Sequence, residues 1–70
     1  MESSVYKVIE IIGSSSRSWE EAATNAVAKA SKTLEDLRIA EVTNMDMKIE
    51  NGKVTAYRTK LRLSFKFRNE

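Results

Sequence analysis

Residues 37–67 read LRIAEVTNMDMKIENGKVTAYRTKLRLSFKF, and this stretch decides the fold. At its centre Asn51-Gly52 is the strongest short hairpin signal available, because a type I′ turn needs positive φ at both central positions. A two-residue turn sets Glu50 opposite Lys53 and predicts the pairs that follow. One face then holds Val42 opposite Leu61, Ala40 opposite Leu63, Asp46 opposite Tyr57 and Asn44 opposite Thr59. The other face holds Glu41 opposite Arg62, Thr43 opposite Lys60, Met45 opposite Arg58 and Ile39 opposite Ser64. The last strand alternates sharply. Tyr57, Leu61, Leu63, Phe65 and Phe67 point one way, and Arg58, Lys60, Arg62, Lys66 and Arg68 the other, as in a strand with one covered face.

Upstream, Val5–Ile12 reads VYKVIEII, a β-branched run that predicts a first strand. Gly13-Ser14-Ser15-Ser16-Arg17 reads as a loop by composition. Ser18-Trp19-Glu20-Glu21 then fits a capping box: Ser18 takes the amide of Glu21 and the Glu21 carboxylate returns to the amide of Ser18. Trp19, Ala22, Ala23, Ala26, Val27, Ala30 and Leu34 recur at helical spacing, which predicts a helix over about 18–34. Its buried stripe is mostly alanine, so it can lie close on its neighbour. The expected architecture is α+β, in the order β-α-β-β: a three-stranded antiparallel sheet wrapped around one helix, as a single domain over residues 1–70.

The chain has 70 residues and a formal charge of +2, with no histidine and no cysteine. A core of this size is marginal by itself, since so short a chain hides only about 60% of its surface on folding. Disulfides and thiolate or imidazole metal sites are excluded, and so are histidine-based nucleophile pairs. Further copies of the chain remain as the stabilising device, so a homo-oligomer is expected. The exposed apolar positions Ile39, Met45, Met47 and Ile49 are the natural subunit contact.

There is no stretch of about 18 apolar residues, which excludes a membrane helix. The first residues, MESSVYKVIEII, lack the basic start of a signal peptide, and a cytoplasmic location is expected. With only Gly13 and Gly52 there is no glycine-rich phosphate loop, and no two acids or bases form an obvious catalytic pair, so the chain does not read as an enzyme. The basic stripe on the last strand can neutralise phosphates, but no aromatic interleaves it, so nucleic acid is a weak reading. Asn44, Asp46 and Glu50 alternate along one strand and project to one side. Asp46 and Glu50 are therefore the candidate ligands of a hard cation such as calcium. Glu41 is expected to pair with Arg62 across the sheet.

The stretches VYKVIEIIGSS, SWEEAATNAVAKA, LRIAEV and YRTKLRLSFKF together resemble the dodecins. The resemblance covers the whole chain in length and element order. It implies a hollow homododecamer that binds or stores a small ligand, flavin (FMN, FAD or riboflavin) in the best-known members. Flavin-binding dodecins carry a stacking tryptophan where this chain has Ile39, and a ring-edge glutamine where it has Arg58. Ile39, Arg58, Asn44 and Met45 are thus the flavin-equivalent positions. Isoleucine lacks the aromatic face, and arginine offers only donors. Some members without the tryptophan are associated with calcium, and the IIG-S-S start, the SWE helix start and the SFK ending place this chain nearer to them. The expectation is a small-ligand shell altered at its stacking position, with a calcium-binding or purely structural shell as the alternative.

Overall fold

In a computed structural model, which describes residues 5–66, the elements are β1 (Tyr6–Ser15), α1 (Trp19–Ala30), β2 (Leu37–Glu50) and β3 (Lys53–Lys66). The sheet order is β1-β3-β2 and both pairings are antiparallel, so β3 is central. Phe67 and Arg68 lie outside the described residues.

The first strand runs beyond Ile12. Gly13, Ser14 and Ser15 pair with Thr59, Arg58 and Tyr57, so the serine-rich stretch is strand where composition predicts loop. Its reason is close packing. A Cβ on Gly13 would stand 2.0 Å from the Ala22 carbonyl oxygen, so glycine here lets the helix backbone touch the strand. Ser15 is buried, and its hydroxyl accepts from the amides of Arg17 at 2.9 Å and Ser18 at 3.4 Å.

Only half of the capping box forms. Ser18, in extended geometry, accepts from the Glu21 amide at 3.0 Å. The return bond does not form, because Ser15 takes the Ser18 amide and the Glu21 carboxylate turns to Arg17 at 2.9 Å. At the other end the helix stops at Ala30 rather than Leu34. There the hydroxyls of Ser31 and Thr33 donate back to the carbonyls of Ala28 and Ala30, a local competition that ends helices. Asp36, at φ 62°, then turns the chain into β2.

The hairpin turn is as expected, with φ of 53° at Asn51 and 75° at Gly52. The register is not uniform. Glu50–Lys53, Val42–Leu61, Glu41–Arg62, Ala40–Leu63 and Ile39–Ser64 pair as the sequence predicts. Between them the pairing is one residue off: Asn44 meets Lys60, Met45 meets Thr59, Asp46 meets Arg58 and Met47 meets Tyr57. Thr43 is an extra residue on β2 and Thr55 an extra residue on β3, so the two bulges cancel beyond the shifted segment. Each threonine hydroxyl donates across the hairpin, Thr43 to the Lys60 carbonyl and Thr55 to the Lys48 carbonyl. The shift exchanges the faces of this segment. Asn44 and Asp46 lie on the open face of the sheet, and Met45 and Met47 lie on the helix side.

The core is Leu61 and Leu63 of β3 against Ala26, with Ile9, Ile11, Ala23, Val27, Ala30 and Leu37 around them. The helix packs on β1 and β3 and hardly touches β2. All of β2 after Leu37 is exposed. The molecule measures 55 × 20 × 14 Å, with a radius of gyration of 14.6 Å. A compact chain of this length has about 11 Å. The long hairpin is therefore an arm whose apolar side chains, including Val42, Met45, Met47, Ile49 and Val54, are not covered within one subunit.

Candidate functional site

The open face of the sheet is a grid with β3 as its middle column. Successive rows are Val8–Ser64–Ile39, Glu10–Arg62–Glu41, Ile12–Lys60–Asn44 and Ser14–Arg58–Asp46. Arg58, Lys60 and Arg62 thus stand in line, flanked by carboxylates. Arg58 donates Nε to Asp46 Oδ1 at 2.7 Å and Nη2 to Oδ2 at 2.8 Å, a bidentate pair. The hydrogen bond from Arg58 holds the Asp46 carboxyl below the usual aspartate value, and the guanidinium charge adds to it. Lys60 and Arg62 share Glu10, at 3.8 and 3.6 Å. The basic stripe is therefore largely neutralised by its neighbours.

Trp19 ties this face to the helix start. Its indole N–H donates to the Asp46 carbonyl at 3.0 Å, and its ring stands edge-on to Tyr57 with centroids 5.1 Å apart. The Thr59 hydroxyl, buried beneath, donates to the Trp19 carbonyl at 2.9 Å. Alternation alone gives no sign of this link, because the acceptor is a backbone carbonyl and not a side chain.

The expected site residues do not converge within one subunit. Ile39 and Arg58 share the open face, but Ile39 pairs with Ser64. That residue lies six positions along β3 from Arg58, about 20 Å at 3.3 Å per residue. Ile39 borders one depression with Val27, Leu37, Ala40 and Leu63. Arg58 borders another with Ile12, Asn44, Met45, Asp46 and Lys60. Asp46 and Glu50 share a face, yet each has its own cation: Arg58 for Asp46, and Lys48 at 3.4 Å for Glu50. Among the described residues no three acids cluster to hold a metal ion. The expected Glu41–Arg62 ion pair is corrected as well. The two are opposed, but Arg62 turns to Glu10 across the other pairing, and Glu41 has no ion-pair partner among the described residues.

The dodecin family model matches residues 5–68. The chain belongs to the dodecin family. It is 53% identical over 66 residues to the calcium dodecin of Mycobacterium tuberculosis, covering 93% of this chain and 92% of that protein. The solved dodecin of Streptomyces coelicolor superposes with a TM-score of 0.92 at 36% identity, over the whole of both chains. The crystal structure of the M. tuberculosis calcium dodecin, described as a calcium-chelating antigen with a novel calcium-binding site, superposes with a TM-score of 0.83 at 50% identity over 96% of each chain. The β-α-β-β sheet-and-helix architecture of this dodecin is thus shared along the full chain. No helix among its described residues is long and apolar enough to cross a membrane.

Proposed function

We propose that this dodecin is the subunit of a homododecameric shell that binds calcium rather than flavin, acting by binding and storage and not by catalysis. The observation that carries the reading is the Asp46–Arg58 pair. Arg58 occupies the position of the ring-edge partner in flavin-type members, and its Nε and Nη2 are already engaged by a carboxylate. Ile39, at the stacking position, has no aromatic face to offer. Similarity to the calcium dodecin of M. tuberculosis supports the choice of ion.

A calcium ion takes six to eight oxygens, more than one subunit gathers here, so the ligands come from several copies. Asp46 is the least suited carboxylate on the open face, because a guanidinium already covers both of its oxygens. Glu41, which has no ion-pair partner among the described residues, and Glu50, paired with an exposed lysine, are the better donors. Burying the uncovered hairpin arm supplies the drive for assembly.

Native mass spectrometry of protein purified without added ligand, followed by calcium titration of chelator-treated protein, tests the proposal. We expect the mass of a dodecamer, calcium-sized increments that the chelator removes, and saturable calcium binding that weakens in Glu41→Gln and Glu50→Gln. Flavin-sized increments without calcium overturn the calcium assignment, and a different subunit count overturns the shell. Introducing Ile39→Trp should be required before any flavin affinity is seen.

A further inference from the structure

The depression on the open face around Arg58 contains the parts of an oxyanion site. Arg58 presents a planar fork, Lys60 stands one row away with its ammonium 3.8 Å from its nearest carboxylate oxygen, Asn44 brings an amide, and Ile12 an apolar wall. The two donor distances of 2.7 and 2.8 Å are those of a fork holding a bound carboxylate or phosphate, and here the anion is the chain's own Asp46.

We propose that Asp46 is a specificity-determining residue: it fills the Arg58 fork as a built-in anion and thereby closes this depression to ligands of the phosphate and carboxylate class. Asp46 is well placed for this. The Thr43 bulge brings it to the Arg58 row, and Trp19 fixes its carbonyl from the helix side. An oxyanion that takes the Nε–Nη2 edge of Arg58 displaces a bidentate partner that is covalently attached, and so always at high local concentration. It also meets the negative charge of Asp46 itself. The inference concerns an anion and not the calcium proposed above, so the two stand or fall separately.

The test uses inorganic phosphate as the probe, titrated by calorimetry at fixed ionic strength into the assembled protein, stripped of calcium by a chelator that is then dialysed away. The native protein should show no saturable phosphate binding in the millimolar range. Asp46→Asn should bind at least about tenfold more tightly, since charge-assisted bonds of the fork become available. The gain should vanish in Asp46→Asn combined with Arg58→Gln. Glu41→Gln makes the same change of charge on the same face without freeing a fork, and should show no gain.

An Asp46→Asn protein with unchanged circular dichroism and assembly size but no gain overturns the proposal. So does an equal gain in Glu41→Gln, which would reduce the effect to net charge, and so does native binding as tight as that of the variant. If Asp46→Asn does not assemble, Asp46→Ser removes the same carboxylate and is read by the same outcomes.

Discussion

Asp46 lies opposite Arg58 and not opposite Tyr57, because Thr43 is an extra residue on β2 that shifts the register of residues 44–48. One inserted residue moves a carboxylate from the helix side to the open face and brings it to an arginine fork. The same insertion carries Met45 and Met47 to the helix side.

The Asp46–Arg58 bond fixes the sign of a pH effect. Arg58 lowers the carboxyl pKa in the folded protein, so the bond's contribution is complete above the ordinary aspartate value of 3.8 and is lost as pH falls through the lowered one. Carbon NMR of the Asp46 carboxyl should show it titrating below 3.8 in the native protein. In Arg58→Gln the midpoint should rise toward that value, and an unmoved midpoint would show that Arg58 is not the cause.

Gly13→Ala places a methyl group on the Ala22 carbonyl oxygen, at 2.0 Å, and backbone cannot move aside as a side chain can. Overpacking of this kind costs about 1–3 kcal/mol or more. Denaturant unfolding should show a loss of at least that size. A variant as stable as the native protein would mean that α1 does not rest on β1 as closely as described.

Ser18→Ala removes the acceptor for the Glu21 amide, at a cost of about 1 kcal/mol. Glu21→Gln should cost less. The return half of the capping box is absent, and Glu21 has an exposed pair with Arg17 and its charge at the helix start to lose. Equal losses in thermal melts of the two variants would argue for a complete box in solution.

Trp19→Phe keeps an aromatic edge for Tyr57 but removes the N–H that reaches the Asp46 carbonyl. We expect a loss of about 0.5–1.5 kcal/mol. Amide exchange around residues 45–47 should quicken while that of Leu61 and Leu63 does not change. Uniform quickening across the sheet would show that Trp19 acts on the whole fold instead of on this segment.

Met47→Asp puts a charge among the uncovered apolar side chains of the hairpin arm. Light scattering should find species smaller than the native assembly. If the full assembly persists, this part of β2 is not buried between copies.

Elements built on local chemistry were legible in the sequence. The Asn51-Gly52 turn needs no tertiary help to demand positive φ, the Ser18 cap is a contact between near neighbours, and the alternation of β3 follows from having one side against a helix. Counting outward from the turn also places Val42, Ala40 and Ile39 correctly, since the two bulges cancel. What lies between them was not legible. A bulge leaves no residue signature beyond an ordinary threonine, and whether Thr43 is paired or extra depends on the strand beside it. The same holds for Gly13-Ser14-Ser15, loop-like in composition, which become strand because β3 and the alanine face of α1 are there to receive them. The sequence by itself determined the order of elements, the turn and the helix start, all consequences of local conformational preference. Only the tertiary structure decided which carboxylate meets which cation. A change of one residue in register exchanges the two faces of a strand, and with them the chemistry each face displays.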